Sequence, residues 1–177
     1  RYGLGSTNMV AMGYSAGATL ATMLGTHHRQ GSAHALQCKP NVAGVIHLFA
    51  RVNFFKATEG LPDEMECGET FAGLARNESD PQEKFRRMDI LTQIPAQVPP
   101  FFVSVGDSDT AVNPIENSKA LCDRLGRNCD LQVIPGAEHM YHGRGEWDQA
   151  FNGMCKFLAE KVFNDKTAVS SGSDQPL

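Results

Sequence analysis

A chain of 177 residues has the size of one ordinary domain and is long enough to bury a single core. With 41% hydrophobic and 20% charged residues its composition is that of a soluble globular protein, and 16 Lys+Arg against 20 Asp+Glu leave a net charge of −4. The chain has no basic run to hold nucleic acid or an anionic membrane, and no apolar stretch approaches the roughly 20 residues that cross a bilayer.

Four short apolar runs punctuate the sequence. The first, Asn8 to Met12, is stopped by Gly13 and has the length of a strand buried on both faces. From Ala16 to about His27 the pattern turns helical, with Leu20, Met23 and Leu24 on one side. Val42 to Ala50 is the second run, Phe101 to Val105 the third, entered through Pro99-Pro100, and Leu131 to Ile134 the fourth, closed by Pro135-Gly136. Between the last two lies a helix with clear end signals. Asn113 caps it, Pro114 suits its first turn, Glu116 has capping-box spacing and Gly126 stops it. A final helix over about Gly145 to Phe163 is expected to bury a stripe of Trp147, Phe151, Met154, Cys155, Leu158 and Val162.

Strands alternating with helices predict parallel pairing through right-handed crossovers. The fold class is therefore α/β, an open, mostly parallel sheet with flanking helices. Residues 1–163 are read as one domain and the polar, Ser-containing 164–177 as a disordered tail. Residues 51–98 exceed what a simple crossover needs, so this segment is expected to carry one or two helices, including Pro81 to Met88, and either decorates the fold or overhangs the site as a lid.

The five cysteines make no CxxC and no zinc-like set with histidine, so no metal is expected. Cys122 and Cys155 read as small buried hydrophobes on helix faces. Cys38 and Cys67 fall in loops, where a disulfide between them or with Cys129 is open in an oxidising compartment.

The chemistry begins at Gly13-Tyr14-Ser15-Ala16-Gly17. A G-x-S-x-G that follows an apolar strand and opens a helix is the setting of a nucleophile elbow, where a tight turn that favours small residues at its outer positions lifts the serine hydroxyl above the sheet. A serine hydroxyl is a poor nucleophile without a base to take its proton and a carboxylate to orient that base. Candidates stand just past two later strands, where open α/β sheets bind ligands. Asp107 and Asp109 follow the third run, and His139 follows the fourth, with His142 three residues further on. Glu138 reads as solvated, His47 as a core-edge histidine and His27, His28 and His34 as helix-end or loop residues. Tyr14 either lines the acyl pocket or packs over the neighbouring strand.

From Met9 to Phe163 the chain resembles the C-terminal half of an α/β-hydrolase of the carboxylesterase/feruloyl-esterase-like and prolyl-oligopeptidase-like groups. The resemblance lies in Gly-Tyr-Ser-Ala-Gly-Ala, Pro-Pro-Phe-Phe-Val-Ser-Val-Gly-Asp-Ser-Asp and Ile-Pro-Gly-Ala-Glu-His. It implies Asp109 as the triad acid, three residues after Gly106, with Val112 also matching the family's G-x-x-D-x-x-V-P pattern. Asn113 stands where the family often has Pro, and Pro114 follows. The histidine after the Pro-Gly-Ala turn is His139. The implied activity is a serine ester hydrolase with catalytic Ser15, Asp109 and His139, acting on a small-molecule ester through an acyl-enzyme without a cofactor. The alternatives are a peptidase or amidase using the same triad, and a non-catalytic remnant that serves as a binding module.

An ester hydrolase also needs an oxyanion hole, each donor of which typically lowers the barrier by about 2.7–4 kcal/mol. The backbone N–H of Ala16 is expected to supply one donor and an HGGG-type loop on an earlier strand the other. Only fourteen residues precede Ser15, and they contain no such glycine run. An elbow strand without neighbours on its other side would be an apolar open edge. The expectation is a piece of a longer hydrolase with its N-terminal strands missing, which leaves the compartment undecided.

Overall fold

The chain is described by a computed structural model in which residues 9–26, 42–53 and 89–163 are placed. The helix expected over Pro81 to Met88, the tail after 163, Cys38, Cys67 and the histidines at 27, 28 and 34 lie outside these residues.

The four apolar runs form four strands: β1 (Met9–Tyr14), β2 (Val42–Leu48), β3 (Phe101–Gly106) and β4 (Cys129–Ile134). All neighbouring pairs are parallel and the spatial order is the chain order, β1-β2-β3-β4. β1, β3 and β4 reach past the predicted ends because glycine and polar residues continue the ladder. Gly13 faces His47, and Gly106 faces Ile134. Every residue of β3 is buried, as an inner parallel strand requires.

Side-chain alternation along the strands divides the interior into two cores. Val45, Phe101 and Val103 point to one face, where they meet Ala21 of α1 (Ala16–Thr26) and Leu121 and Leu125 of α2 (Ala120–Leu125). Ile46, Leu48 and Phe102 point to the other, against Ala150, Met154 and Phe157 of α3 (Arg144–Phe157).

Both outer helices are turned part-way from the face their large residues suggest, keeping Met23 of α1 and Met154 of α3 on the core. α1 buries Ala18, Thr19, Ala21, Thr22 and Gly25, while Leu20 is 56% exposed. The cause is close approach. A Cβ on Gly25 would stand 2.5 Å from Val45 Cγ2 and 2.9 Å from Phe101 Cζ, so only small residues fit between helix and sheet. In α3 the buried line runs through Ala150, Met154 and Phe157, and the expected Phe151 is 61% exposed. Here Gly153 lies against the sheet, where a Cβ would stand 2.7 Å from Phe102 Cζ. Trp147 keeps one face packed, and Leu158 and Val162, in the π-helical turn Leu158–Val162, are partly buried on the same core.

The helix after β3 begins as predicted, with Asn113 Oδ1 accepting from the N–H groups of Ile115 (3.0 Å) and Glu116 (3.2 Å). Its first turn, Ile115–Lys119, is a wider π-turn, and Gly126 ends α2 with φ +56°. The cysteine expectations are corrected. Cys122 is joined to Cys129 by a disulfide with a Cα–Cα distance of 5.2 Å, and Cys155 is an exposed thiol. The Gly126 turn brings the end of α2 alongside the start of β4, and the rotation of α3 that buries Met154 turns Cys155 outward.

His47 is wholly buried under α1, with Nδ1 2.8 Å from Thr22 Oγ1. Burial holds its imidazole pKa down at about 4, which keeps the ring neutral.

Candidate active site

The elbow is built at the point where β1 hands over to α1. A Cβ on Gly13 would collide with the backbone carbonyl of Gly17, so the first glycine of the motif is sterically required. The second is not, since a Cβ on Gly17 would meet open space. Between them Ser15 takes φ +49°, a left-handed conformation costly for any residue with a side chain. Backbone bonds hold it there: its N–H donates to Leu48 O (3.0 Å), and its carbonyl accepts from Ala18 (2.9 Å) and Thr19 (3.3 Å). Ala16 is exposed at the first position of α1, where no carbonyl of the helix can take up its N–H. Tyr14 is 56% exposed, its ring centroid 6.3 Å from that of Phe49.

The loop after β3 carries the two candidate carboxylates, and the structure gives them different partners. Asp109 is 5% exposed, and its Oδ1 accepts from the N–H groups of Ala111 (3.0 Å) and Val112 (2.8 Å). Its Oδ2 lies 2.9 Å from His139 Nδ1. Asp107 is exposed and turns the other way, with Oδ1 accepting from Gly136 N–H (2.7 Å) and Ser108 Oγ (3.1 Å). It fastens the loop after β3 to the turn that ends β4.

That turn, with Gly136 at φ +72°, carries the chain into Ala137 and His139. His139 Nε2 lies 3.1 Å from Ser15 Oγ, so Ser15, His139 and Asp109 stand in one hydrogen-bonded line across the C-terminal ends of three strands. A carboxylate accepting at Nδ1 fixes the neutral tautomer with its proton on that nitrogen, which leaves Nε2 as an acceptor for the serine hydroxyl. The alternatives face away. His142 is 73% exposed and 3.9 Å from the exposed Glu138 carboxylate.

Residues that the sequence did not single out surround this line. Phe49, wholly buried and also left-handed at φ +39°, sets its ring edge-on to His139 with centroids 5.1 Å apart. Tyr141 packs edge-on against Phe49 (4.7 Å) and Trp147 (5.3 Å) and bonds Ser104 Oγ through its hydroxyl at 2.8 Å. Asn117 clamps the exit of β2, accepting from Val52 N–H (2.9 Å) and Asn53 N–H (3.1 Å) and donating to Asn113 O (3.0 Å). The one advance signal for Asn117 was its place in a well-capped helix directly after the acid loop.

Among the described residues, no group of His, Cys, Asp or Glu could hold a metal ion, and no helix is long and apolar enough to cross a membrane.

The BD-FAE family profile matches residues 1–125, more than half of the sequence. The chain belongs to the BD-FAE family. Its α/β-hydrolase architecture agrees with solved structures of similar fold. One is a thermophilic esterase, Est2, from the planctomycete Thermogutta terrifontis (TM-score 0.64, 20% identity, 90% of this chain and 57% of that one). The same enzyme phosphonylated by sarin aligns with TM-score 0.62 and 20% identity over 85% of this chain and 56% of that one. A puromycin-hydrolysing peptidase of Mycobacterium tuberculosis aligns with TM-score 0.67 and 13% identity over 89% of this chain and 22% of that one. This BD-FAE chain thus spans a little over half the length of the esterase it matches. No curated protein sequence matches it significantly.

Proposed function

We propose that this BD-FAE chain carries the nucleophile, base and acid of a serine ester hydrolase. The observation that carries the reading is the continuous line from Ser15 Oγ through His139 to Asp109, at 3.1 and 2.9 Å. In the first half-reaction Ser15 Oγ attacks the acyl carbonyl carbon while His139 Nε2 takes the hydroxyl proton. Asp109, its other oxygen already held by two backbone N–H groups, keeps the imidazole oriented and stabilises its charged form. The N–H of Ala16, exposed at the first position of α1, supplies one donor to the oxyanion in this reading. Collapse of the tetrahedral intermediate breaks the bond to the alcohol, which leaves with the proton from Nε2. Water, deprotonated by the same nitrogen, then attacks the acyl-serine and releases the acid and free Ser15.

Membership in the BD-FAE family and a fold shared with an esterase that sarin phosphonylates support an ester substrate and a phosphonate-reactive serine. The fold is shared with a peptidase too, so amide cleavage by the same triad is the second reading. The test is a fluorophosphonate probe on the intact protein, followed by turnover of p-nitrophenyl acetate and of an aminoacyl amide. Labelling that Ser15→Ala abolishes, with faster ester than amide turnover, is the expected result. Absence of labelling in folded protein would leave only the non-catalytic binding module.

A further inference from the structure

We propose that Tyr141 is a positioning residue, which together with Ser104 and Phe49 holds the His139 imidazole in line between Ser15 and Asp109. The inference deepens the reading above and rests on it. Two consecutive non-glycine residues directly after His139, Met140 at φ +70° and Tyr141 at φ +50°, take the left-handed conformation. Such a pair persists only where its surroundings over-determine it. The Met140 side chain is exposed. Tyr141 is the anchor, 2% exposed and held on three sides. Its ring is wedged edge-on between Phe49 and Trp147, its hydroxyl is bonded to Ser104 Oγ, and its N–H donates to Glu138 O at 3.4 Å.

Ser104 makes the arrangement a single unit. It lies in the middle of β3, opposite Leu48 and Gln132, and is wholly buried. Its carbonyl accepts from Phe49 N–H (2.8 Å) while its hydroxyl meets the Tyr141 phenol (2.8 Å). One strand residue therefore fixes both the aromatic ring beside His139 and the anchor of the loop that carries it. Burial raises the phenol above its ordinary pKa, so it remains a neutral hydrogen-bond partner with Asp109 and Glu146 as the nearest charges. The contact that reaches the catalytic line is the Phe49 ring against His139. The three residues act through the imidazole.

The experiment is kinetics on the intact protein carrying Tyr141→Phe, Ser104→Ala or both, with NMR titration of the His139 ring in each. Tyr141→Phe keeps the packed ring and removes one oxygen, so the fold survives. The expected result is a fall in kcat of roughly tenfold with KM changed by less than about twofold, because a displaced base weakens the chemical step and leaves binding intact. The double variant should lose no more than the worse single one, and the acid limb of the pH profile should move together with the His139 titration. A lower melting temperature with unchanged kcat and an unchanged His139 titration would mean that the tyrosine is ordinary core, and would overturn the proposal. Turnover that survives Ser15→Ala would sink the catalytic reading instead. In that case the His139 titration still decides whether Tyr141 positions the ring.

Discussion

The two ends of the sheet are built on opposite rules. At the C-terminal ends of the strands, Ser15, Phe49, Met140 and Tyr141 all occupy left-handed backbone without being glycine. At the N-terminal end the left-handed position is Gly126, and the turn it makes into β4 is closed by the Cys122–Cys129 disulfide. A left-handed residue with a side chain costs roughly 1–3 kcal/mol. Glycine removes that cost wherever the chain only has to turn, as at Gly126. At the upper end Gly136 makes a plain turn too, but Ser15, Phe49 and Tyr141 carry side chains at left-handed positions, a hydroxyl and two rings. One end turns on glycine and a disulfide, and the other holds side chains in strained backbone.

The comparison is broken most sharply at Ser15. Ser15→Gly should lower ester turnover by about 10⁵-fold or more while stabilising the fold by about 1 kcal/mol, since φ +49° suits glycine. Melting curves read beside turnover check this, and a loss of stability would mean that no strain is stored there. Next in size is the contrast between the two carboxylates of one loop. Asp109→Asn should reduce kcat by roughly 10³–10⁴-fold, because an amide at that position favours the wrong imidazole tautomer. Asp107→Asn, which only loosens the tie to Gly136, should cost less than about tenfold. Equal losses would refute the division of labour between them.

Stability should depend on pH through His47. Its folded pKa of about 4 lies below the ordinary imidazole value of 6.5, so the unfolded chain binds more protons between these values. The contribution is fully present above pH 6.5 and lost as pH falls toward 4, about 3 kcal/mol in all, provided the core stays dry. Urea unfolding at pH 7.5 and 4.5 measures it, and His47→Gln should flatten the difference. The smallest effect belongs to the lower end: reducing Cys122–Cys129 should cost about 2 kcal/mol and leave kcat at 25 °C unchanged. A drop in kcat on reduction would show that the two ends are coupled.

The strands were legible as short apolar runs, but only β2 and β3 are inner strands; β1, expected to be buried on both faces, lies at the edge of the described sheet with Met9 and Met12 exposed. Ser15 and His139 stood out because each follows a strand, whereas Asp107 and Asp109 share that placement and only the family resemblance favoured Asp109. What escaped depends on distances between elements. Hydrophobicity alone turns Leu20 and Phe151 inward, whereas Gly25 and Gly153 bring their helices so close that small faces pack and large residues stay outside. The Cys122–Cys129 pairing escaped because it forms only once Gly126 folds the chain back. Tyr141 escaped because its role is given by Ser104, 37 residues earlier on another strand.

Ile90 N–H donates to Val52 O at 3.2 Å, and Asn117 grips Val52 and Asn53 beside it. The polypeptide thus leaves the sheet and comes back through one stapled doorway. Because ring-closure entropy rises only with the logarithm of length, insertions or deletions between those jambs burden the scaffold little. The length of chain between Asn53 and Asp89 can therefore vary at little cost to the four strands.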